Sequence, residues 1–247
     1  MKNNNVRKLI RIVLYCIILI CLISIGFKKY NYYKDNKVYD NIRDIKNEAE
    51  DNNQLDSDEE YKDEKFKKMY QDMKNINSDY RFWITIDDTV IDYPVVQGED
   101  NDFYLNNNFY KENSISGTIF LDYKNDELKD KNLILYGHNM RDGSMFAAIN
   151  KFKEKEFFDN GKIKIINENG EEIYEVFSMF VEGANNLNLK NNFNSSEEYN
   201  EYIKNIKDNS SYQKEIKSDF SKIITLYTCS YEFEDARTIV CATLVDN

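Results

Sequence analysis

Apolar positions along the first third of the chain follow more than one rhythm. From Ile12 to Phe27, 'IVLYCIILICLISIGF', sixteen consecutive residues carry no charge. Counted from Leu9, with Arg11 reaching back toward the interface, the run is nineteen residues, about 28 Å at ~1.5 Å per residue. That length matches a bilayer core and predicts a transmembrane helix over 9–27. Farther on, Tyr39, Ile42 and Ile45 recur at helical spacing and predict a weaker helix. Phe66, Met69, Tyr70, Met73 and Ile76 do so more strongly and predict an amphipathic helix with one apolar stripe. The acidic 'DNNQLDSDEE', Asp51 to Glu60, reads as a solvated break between the two.

After Tyr80 the period shortens. Short β runs with polar punctuation predict strands at 81–86, 90–96, 117–122, 132–137, 162–167, 172–182, 222–228 and 237–245. Eight short strands with few helices between them predict a mainly β fold, closed or nearly closed into a barrel that leaves no exposed edge. 'NENGEE', Asn167 to Glu172, is the clearest hairpin turn, with Asn169 and Gly170 as residues that tolerate positive φ. 'SSEEYNEYIKNIKD' offers an N-cap serine, a following Glu and apolar Tyr199, Tyr202, Ile203 and Ile206, which predicts a helix inserted ahead of the last two strands. The organisation expected is a basic tail (1–8), an anchor (9–27), a helical stalk with N-terminal helices (28–78) and a β-barrel domain (79–247).

Composition adds a core and a location. The chain is 41% hydrophobic and holds 34 Phe and Tyr besides Trp83, enough for a packed interior. Lys2, Arg7, Lys8 and Arg11 precede the apolar run with no acid among them; taking these four from the chain's net −11 leaves −15 on the rest. Basic residues before the span and an acidic body after it place the N-terminus in the cytoplasm and the body outside. The alternative is a cleaved signal peptide with 'SIG', Ser24 to Gly26, as its small-residue site; the body is exported in either case. So acidic a body is a poor phosphate binder, which argues against nucleic acid as a partner.

Cys16 and Cys21 lie in the apolar segment as small hydrophobes, leaving Cys229 and Cys241 in the body. These two could form one disulfide, or stand as free thiols. With one histidine and two body cysteines a closed zinc site cannot be assembled, and no EF-hand-type acidic loop is present, so neither a metal nor another cofactor is expected.

Three residues then stand out. His138, the sole histidine, follows the apolar 'NLILY' in 'YGHNM', where Gly137 frees the backbone at the strand end. Cys229 ends another apolar strand, 'KIITLYT', whereas Cys241 is centred in the alternating 'RTIVCATLV' and reads as a packing thiol. A free thiol, with a pKa of about 8.5, is only a few per cent thiolate at pH 7, so a cysteine nucleophile needs a base such as imidazole nearby. Arg237 begins the last strand. If the strands ending at Cys229 and beginning at Arg237 are antiparallel neighbours, a permanent cation stands beside the thiol, suited to an oxyanion. The alternative for Arg237 is a surface ion pair with Glu234 or Asp235.

'YGHNM', 'TLYTC' and 'DAR' together resemble the sortases, membrane-anchored cysteine transpeptidases of Gram-positive bacteria. 'WITIDDTVIDYPVVQGEDNDFYL' (Trp83 to Leu105), 'SGTIFLDYKN' (Ser116 to Asn125), 'YEFEDAR' (Tyr231 to Arg237) and the helix before the cysteine strand are similar to class B, over roughly Asp63 to Asn247. The resemblance implies an eight-stranded sortase barrel. It makes Cys229 the nucleophile on the Thr carbonyl of a sorting peptide, His138 the acid for the leaving amine and Arg237 the clamp on oxyanion and substrate. It further implies peptide-groove positions at Asn101, Leu105, Tyr227 and Thr228. The implied partners are surface proteins with a C-terminal Asn-Pro-x-Thr-x-like motif and a peptidoglycan amine, from a precursor, stem peptide or cross-bridge, as acceptor. Clients of class B enzymes include haem-uptake and adhesive proteins. Tyr227 departs from the small residue, commonly serine, that many class B members carry two before the cysteine. Specificity is expected around Leu105 and in 'GANNLNLKNNF', Gly183 to Phe193. Two other readings compete. An L,D-transpeptidase or papain-like hydrolase fits less well, because His138 precedes Cys229 by 91 residues. A surface-anchored scaffold would make the three residues coincidental.

Overall fold

No glycine or proline occurs from Lys28 to Asp51, so neither residue interrupts the i→i−4 ladder there once the apolar run has started a helix. In the computed structural model, which describes residues 2–51, 59–212, 214–216 and 218–245, α1 (Lys2–Asp51) is accordingly one unbroken helix. The anchor and the weaker helix around Tyr39 and Ile42, read separately from sequence, are its two halves. Every described side chain from Val6 to Tyr30 is exposed. Among the described residues, α1 is the one helix long and apolar enough to cross a membrane. Its polar half instead packs on protein, where Tyr39 and Ile42 are buried. The amphipathic stripe forms α2 (Glu59–Ile76), burying Met69 and Met73. Most of the acidic break, residues 52–58, lies outside the described residues.

The β portion consists of β1 (Tyr80–Thr85), β2 (Asp92–Val96), β3 (Ile119–Leu121), β4 (Asn132–Tyr136), β5 (Lys162–Asn167), β6 (Gly170–Gly183), β7 (Ile223–Cys229) and β8 (Ala236–Val245). Between β4 and β5 run a 3-10 segment (Phe146–Lys153) and the short α3 (Lys155–Asp159), and α4 (Ser196–Asn209) separates β6 from β7. The strands close into a barrel in the order β1-β2-β3-β4-β7-β8-β6-β5. β2–β3 and β4–β7 are parallel, and the other pairings are antiparallel.

Two strands start two residues later than expected, for local reasons. Positive φ at Asp88 and a turn closed by Thr89 Oγ1 delay β2. Gly117, at φ +59, delays β3; a Cβ there would lie 2.5 Å from the Tyr104 carbonyl oxygen, so no other residue fits. At the β5–β6 hairpin only Gly170 takes positive φ, not Asn169. α4 starts as its sequence suggests, with Ser195 Oγ accepting from the Glu198 N–H. Its Tyr199, Ile203 and Ile206 pack with Phe177, Phe180, Ile239 and Cys241 in a second core cluster on the outer face of the barrel.

Asp92 ties α1 to the barrel. Its Oδ1 accepts from Lys46 Nζ of α1 at 2.8 Å and from Trp83 Nε1 of β1 at 2.6 Å, with Lys46 also over the Trp83 ring. Lys46 is nearly buried and Trp83 wholly so, so removing the carboxylate leaves two donors without an acceptor. Asp92→Ala is expected to cost about 2–3 kcal/mol of unfolding free energy in urea, and Asp92→Asn, which keeps an acceptor, less.

Candidate active site

The parallel register of β4 and β7 sets Tyr136 beside Tyr227, so both strands run out at the same rim. His138 follows one and Cys229 ends the other. In the antiparallel β7–β8 pair, Cys229 lies directly opposite Arg237. Barrel topology thus brings the three residues to one end, although His138 and Cys229 are far apart in sequence.

Gly137 does not serve as a hinge of positive φ. A Cβ there would fall 2.8 Å from the Phe146 ring, so glycine admits that ring under the strand end. The turn is strapped from both sides: Thr228 Oγ1 donates to the Gly137 carbonyl at 2.6 Å, and the Phe146 N–H donates to the His138 carbonyl at 2.9 Å. Beyond it, Asn139 Nδ2 donates to the Cys229 carbonyl at 2.8 Å, fixing the cysteine's backbone to the histidine loop.

The half-buried imidazole of His138 places Nε2 at 2.8 Å from the Leu105 carbonyl oxygen. A carbonyl only accepts, so Nε2 carries the proton and Nδ1 is left without a protein hydrogen bond among the described residues. The Leu105 carbonyl sits against Gly117, whose own carbonyl accepts from Tyr39 Oη of α1. The orientation of the ring therefore depends on a contact that reaches back to the N-terminal helix.

Cys229 is half-buried, and among the described residues its thiol makes no hydrogen bond. Cys241 is fully buried; burial pushes its thiol up to about 12, slightly offset by Thr225. In the β7–β8 register it lies opposite Thr225, four residues from Cys229 along the strand, or about 13 Å. This excludes the disulfide alternative, and both thiols are free.

Arg237 has no carboxylate in ion-pair contact among the described residues, so the pairing with Glu234 or Asp235 does not form. Its Nε donates to Tyr227 Oη at 2.9 Å and its Nη1 to the Ala236 carbonyl at 2.9 Å. Partial burial works against its charge, but Tyr227 and Cys229 beside it outweigh this and hold its pKa above the ordinary value. The loop after Cys229 is held by Lys153, which contacts both Ser230 and Glu232. Slight burial disfavours the Glu232 carboxylate, but the Lys153 and Ser230 hydrogen bonds prevail and bring its pKa down to about 2.

Of the groove positions, Asn101 is half-buried, its Nδ2 donating to Asp122 Oδ2 at 2.9 Å and its Oδ1 accepting from the Tyr123 N–H. Leu105 touches the histidine through its carbonyl. Tyr227 faces Arg237, and Thr228 is buried with its hydroxyl committed to Gly137, which makes it a strap of the rim and not a groove wall. Sequence reasoning missed Asp122, Tyr136 and Asn139. Asp122 Oδ2 also accepts from Tyr136 Oη at 2.9 Å, and the Tyr136 ring meets the Tyr227 ring edge-on at 5.1 Å between centroids. All three lie in or beside quoted motifs, but nothing in a single sequence marks them as partners.

A family model described as the sortase domain matches residues 84–245. Sortase B of Listeria monocytogenes is 38% identical over 181 residues, covering 71% of this chain and 73% of the relative. Sortase B of Staphylococcus aureus is 30% identical over 183 residues, covering 72% and 75%. Among solved structures, a cysteine-to-serine mutant form of Clostridium perfringens sortase B superimposes with a TM-score of 0.77 at 40% identity, covering 86% of this chain and 99% of that one. Sortase B from Bacillus anthracis, solved in complex with AAEK1, does so with a TM-score of 0.74 at 33% identity, covering 88% and 99%.

Proposed function

Since the chain belongs to the sortase family, as a class B cysteine transpeptidase, we propose that Cys229, His138 and Arg237 carry its chemistry. The observation that most supports this is the β7–β8 register, with a guanidinium that has no ion pair among the described residues opposite a free, half-exposed thiol at the rim that bears the only histidine. Cys229 passes its proton to His138 Nδ1, and the thiolate so formed attacks the Thr carbonyl of an Asn-Pro-x-Thr-x-like motif as the carbonyl π electrons move onto oxygen. Arg237 stabilises that oxyanion through Nη2, the guanidinium nitrogen without a protein acceptor among the described residues. As the C–N bond breaks, the leaving amine takes a proton from His138, and a thioester remains on Cys229. Because Nε2 is held by Leu105, Nδ1 is the nitrogen that handles this proton. A peptidoglycan amine then attacks the thioester, loses a proton to the imidazole and expels the thiolate.

The same proposal seats the apolar run of α1 in the membrane as a signal-anchor, with the basic tail in the cytoplasm and the barrel on the wall side. Clients are exported proteins bearing the motif. The test is to mix the chain with an Asn-Pro-Gln-Thr-Asn peptide and follow intact mass. An acyl adduct mapped to Cys229 and released by hydroxylamine is expected. No adduct, with Cys229 still alkylated by iodoacetamide, would reject this motif; no adduct with an inert Cys229 would reject the site.

A further inference from the structure

Tyr227 lies two residues before Cys229 on β7, so the two side chains share one face of the strand. Arg237 stands opposite Cys229 on β8, diagonal to Tyr227 and within reach of a long side chain. The Tyr227 hydroxyl accepts from Arg237 Nε at 2.9 Å, and its ring lies 5.9 Å from the guanidinium carbon. The ring is itself fixed edge-on to Tyr136, whose hydroxyl donates to Asp122, the residue that also receives Asn101 Nδ2. The side chain thus sits at the end of a continuous chain of contacts and is not free to swing.

Building on the site proposed above, we infer that Tyr227 is a positioning residue that aims the Arg237 guanidinium. Two points fix the planar fork: Nε on the Tyr227 hydroxyl and Nη1 on the Ala236 carbonyl. Together they determine its plane and leave both Nη2 protons for a ligand. A neighbouring carboxylate would hold the arginine equally well, but its charge would neutralise the cation that the oxyanion needs. A neutral phenol supplies the acceptor without that cost. The contact at this position is therefore turned toward the arginine, and the tyrosine need not touch the peptide to matter.

The test is Tyr227→Phe in the full chain, which removes one oxygen and keeps the ring contact with Tyr136, so the fold is expected to persist. Acyl-enzyme formation should slow by about 5- to 10-fold with KM changed less than about twofold. In an Arg237→Lys background, the same change should have no further effect. A readout independent of turnover is the ratio of Cys229 alkylation by anionic iodoacetate to that by neutral iodoacetamide. It should fall by about twofold or more as the cation loses its fixed place. An unchanged rate and ratio would overturn the inference, as would an equal factor in the Arg237→Lys background. A rise in KM alone would make Tyr227 a direct peptide contact instead. Absence of any adduct in the unmodified chain, with Cys229 still alkylated, would reject the proposed motif and not the tether, which the alkylation ratio would still decide.

Discussion

Cys229→Ala should reduce transfer by at least about 10⁴-fold, with no acyl adduct detectable by intact mass. The expectation is this severe because no other thiol can substitute. Cys241 is about 13 Å away along the sheet, fully buried, and pushed up to about 12 by that burial. Cys16 and Cys21 lie in the apolar stretch of α1. The fold should be indifferent to the change: the thiol is half-exposed and makes no hydrogen bond among the described residues, and the Cys229 carbonyl, which anchors Asn139, is untouched. The measurement pairs peptide turnover with a thermal melt. Retained turnover with an unchanged melt would remove Cys229 from the mechanism.

Arg237→Lys should lose about 10²- to 10³-fold in kcat although the positive charge is retained. The guanidinium makes two protein hydrogen bonds and still presents Nη2. An ammonium on a shorter, flexible stem cannot satisfy Tyr227 and the Ala236 carbonyl and also hold a defined place over the reacting carbon. The comparison therefore separates charge from geometry. If the field of a nearby cation were sufficient, lysine would work nearly as well. Single-turnover acylation measured for both forms, with KM followed in parallel, gives the answer, and near-normal acylation by the lysine form would refute the planar-clamp role.

Much of this architecture was legible from period and punctuation. Eight runs of alternating residues became eight strands, and the capped 'SSEEYNEYIKNIKD' became α4, because local propensity and tertiary packing agree there. Errors arose where tertiary contact decides. α1 was divided because its apolar and polar halves differ in composition, yet hydrogen-bond continuity depends only on the backbone. β3 was read too long because the backbone of Tyr104 and Leu105 packs against Gly117, a crowding that no local pattern announces. Asn169 was given a positive φ that only Gly170 adopts. At the candidate site, His138, Cys229 and Arg237 stood out in the sequence because each carries reactive chemistry at a strand end, and the topology brings them to one rim. Asp122, Tyr136 and Asn139 did not: a carboxylate, a phenol and an amide find their partners only once strand pairing aligns them, antiparallel between β3 and β4 and parallel between β4 and β7.

The unbroken helix α1 also sets a height. Asp35, whose carboxylate accepts from the Ser116 N–H beside the active-site rim, lies eight residues beyond Phe27, about 12 Å of helix. Asn36 reaches Asp142 in the loop that follows His138, so the same turn of helix touches both shoulders of the site. With the apolar stretch in a bilayer as proposed, the rim stands off the lipid by a fixed dozen ångströms or so, on a rod and not a tether. Each residue added to that rod would lift the rim by about 1.5 Å and swing it by about 100°. A peptide tethered to the same membrane would then meet the site only if its cleavable bond lay within that stand-off, and an anchor so seated would act as a gauge that selects bonds by their altitude.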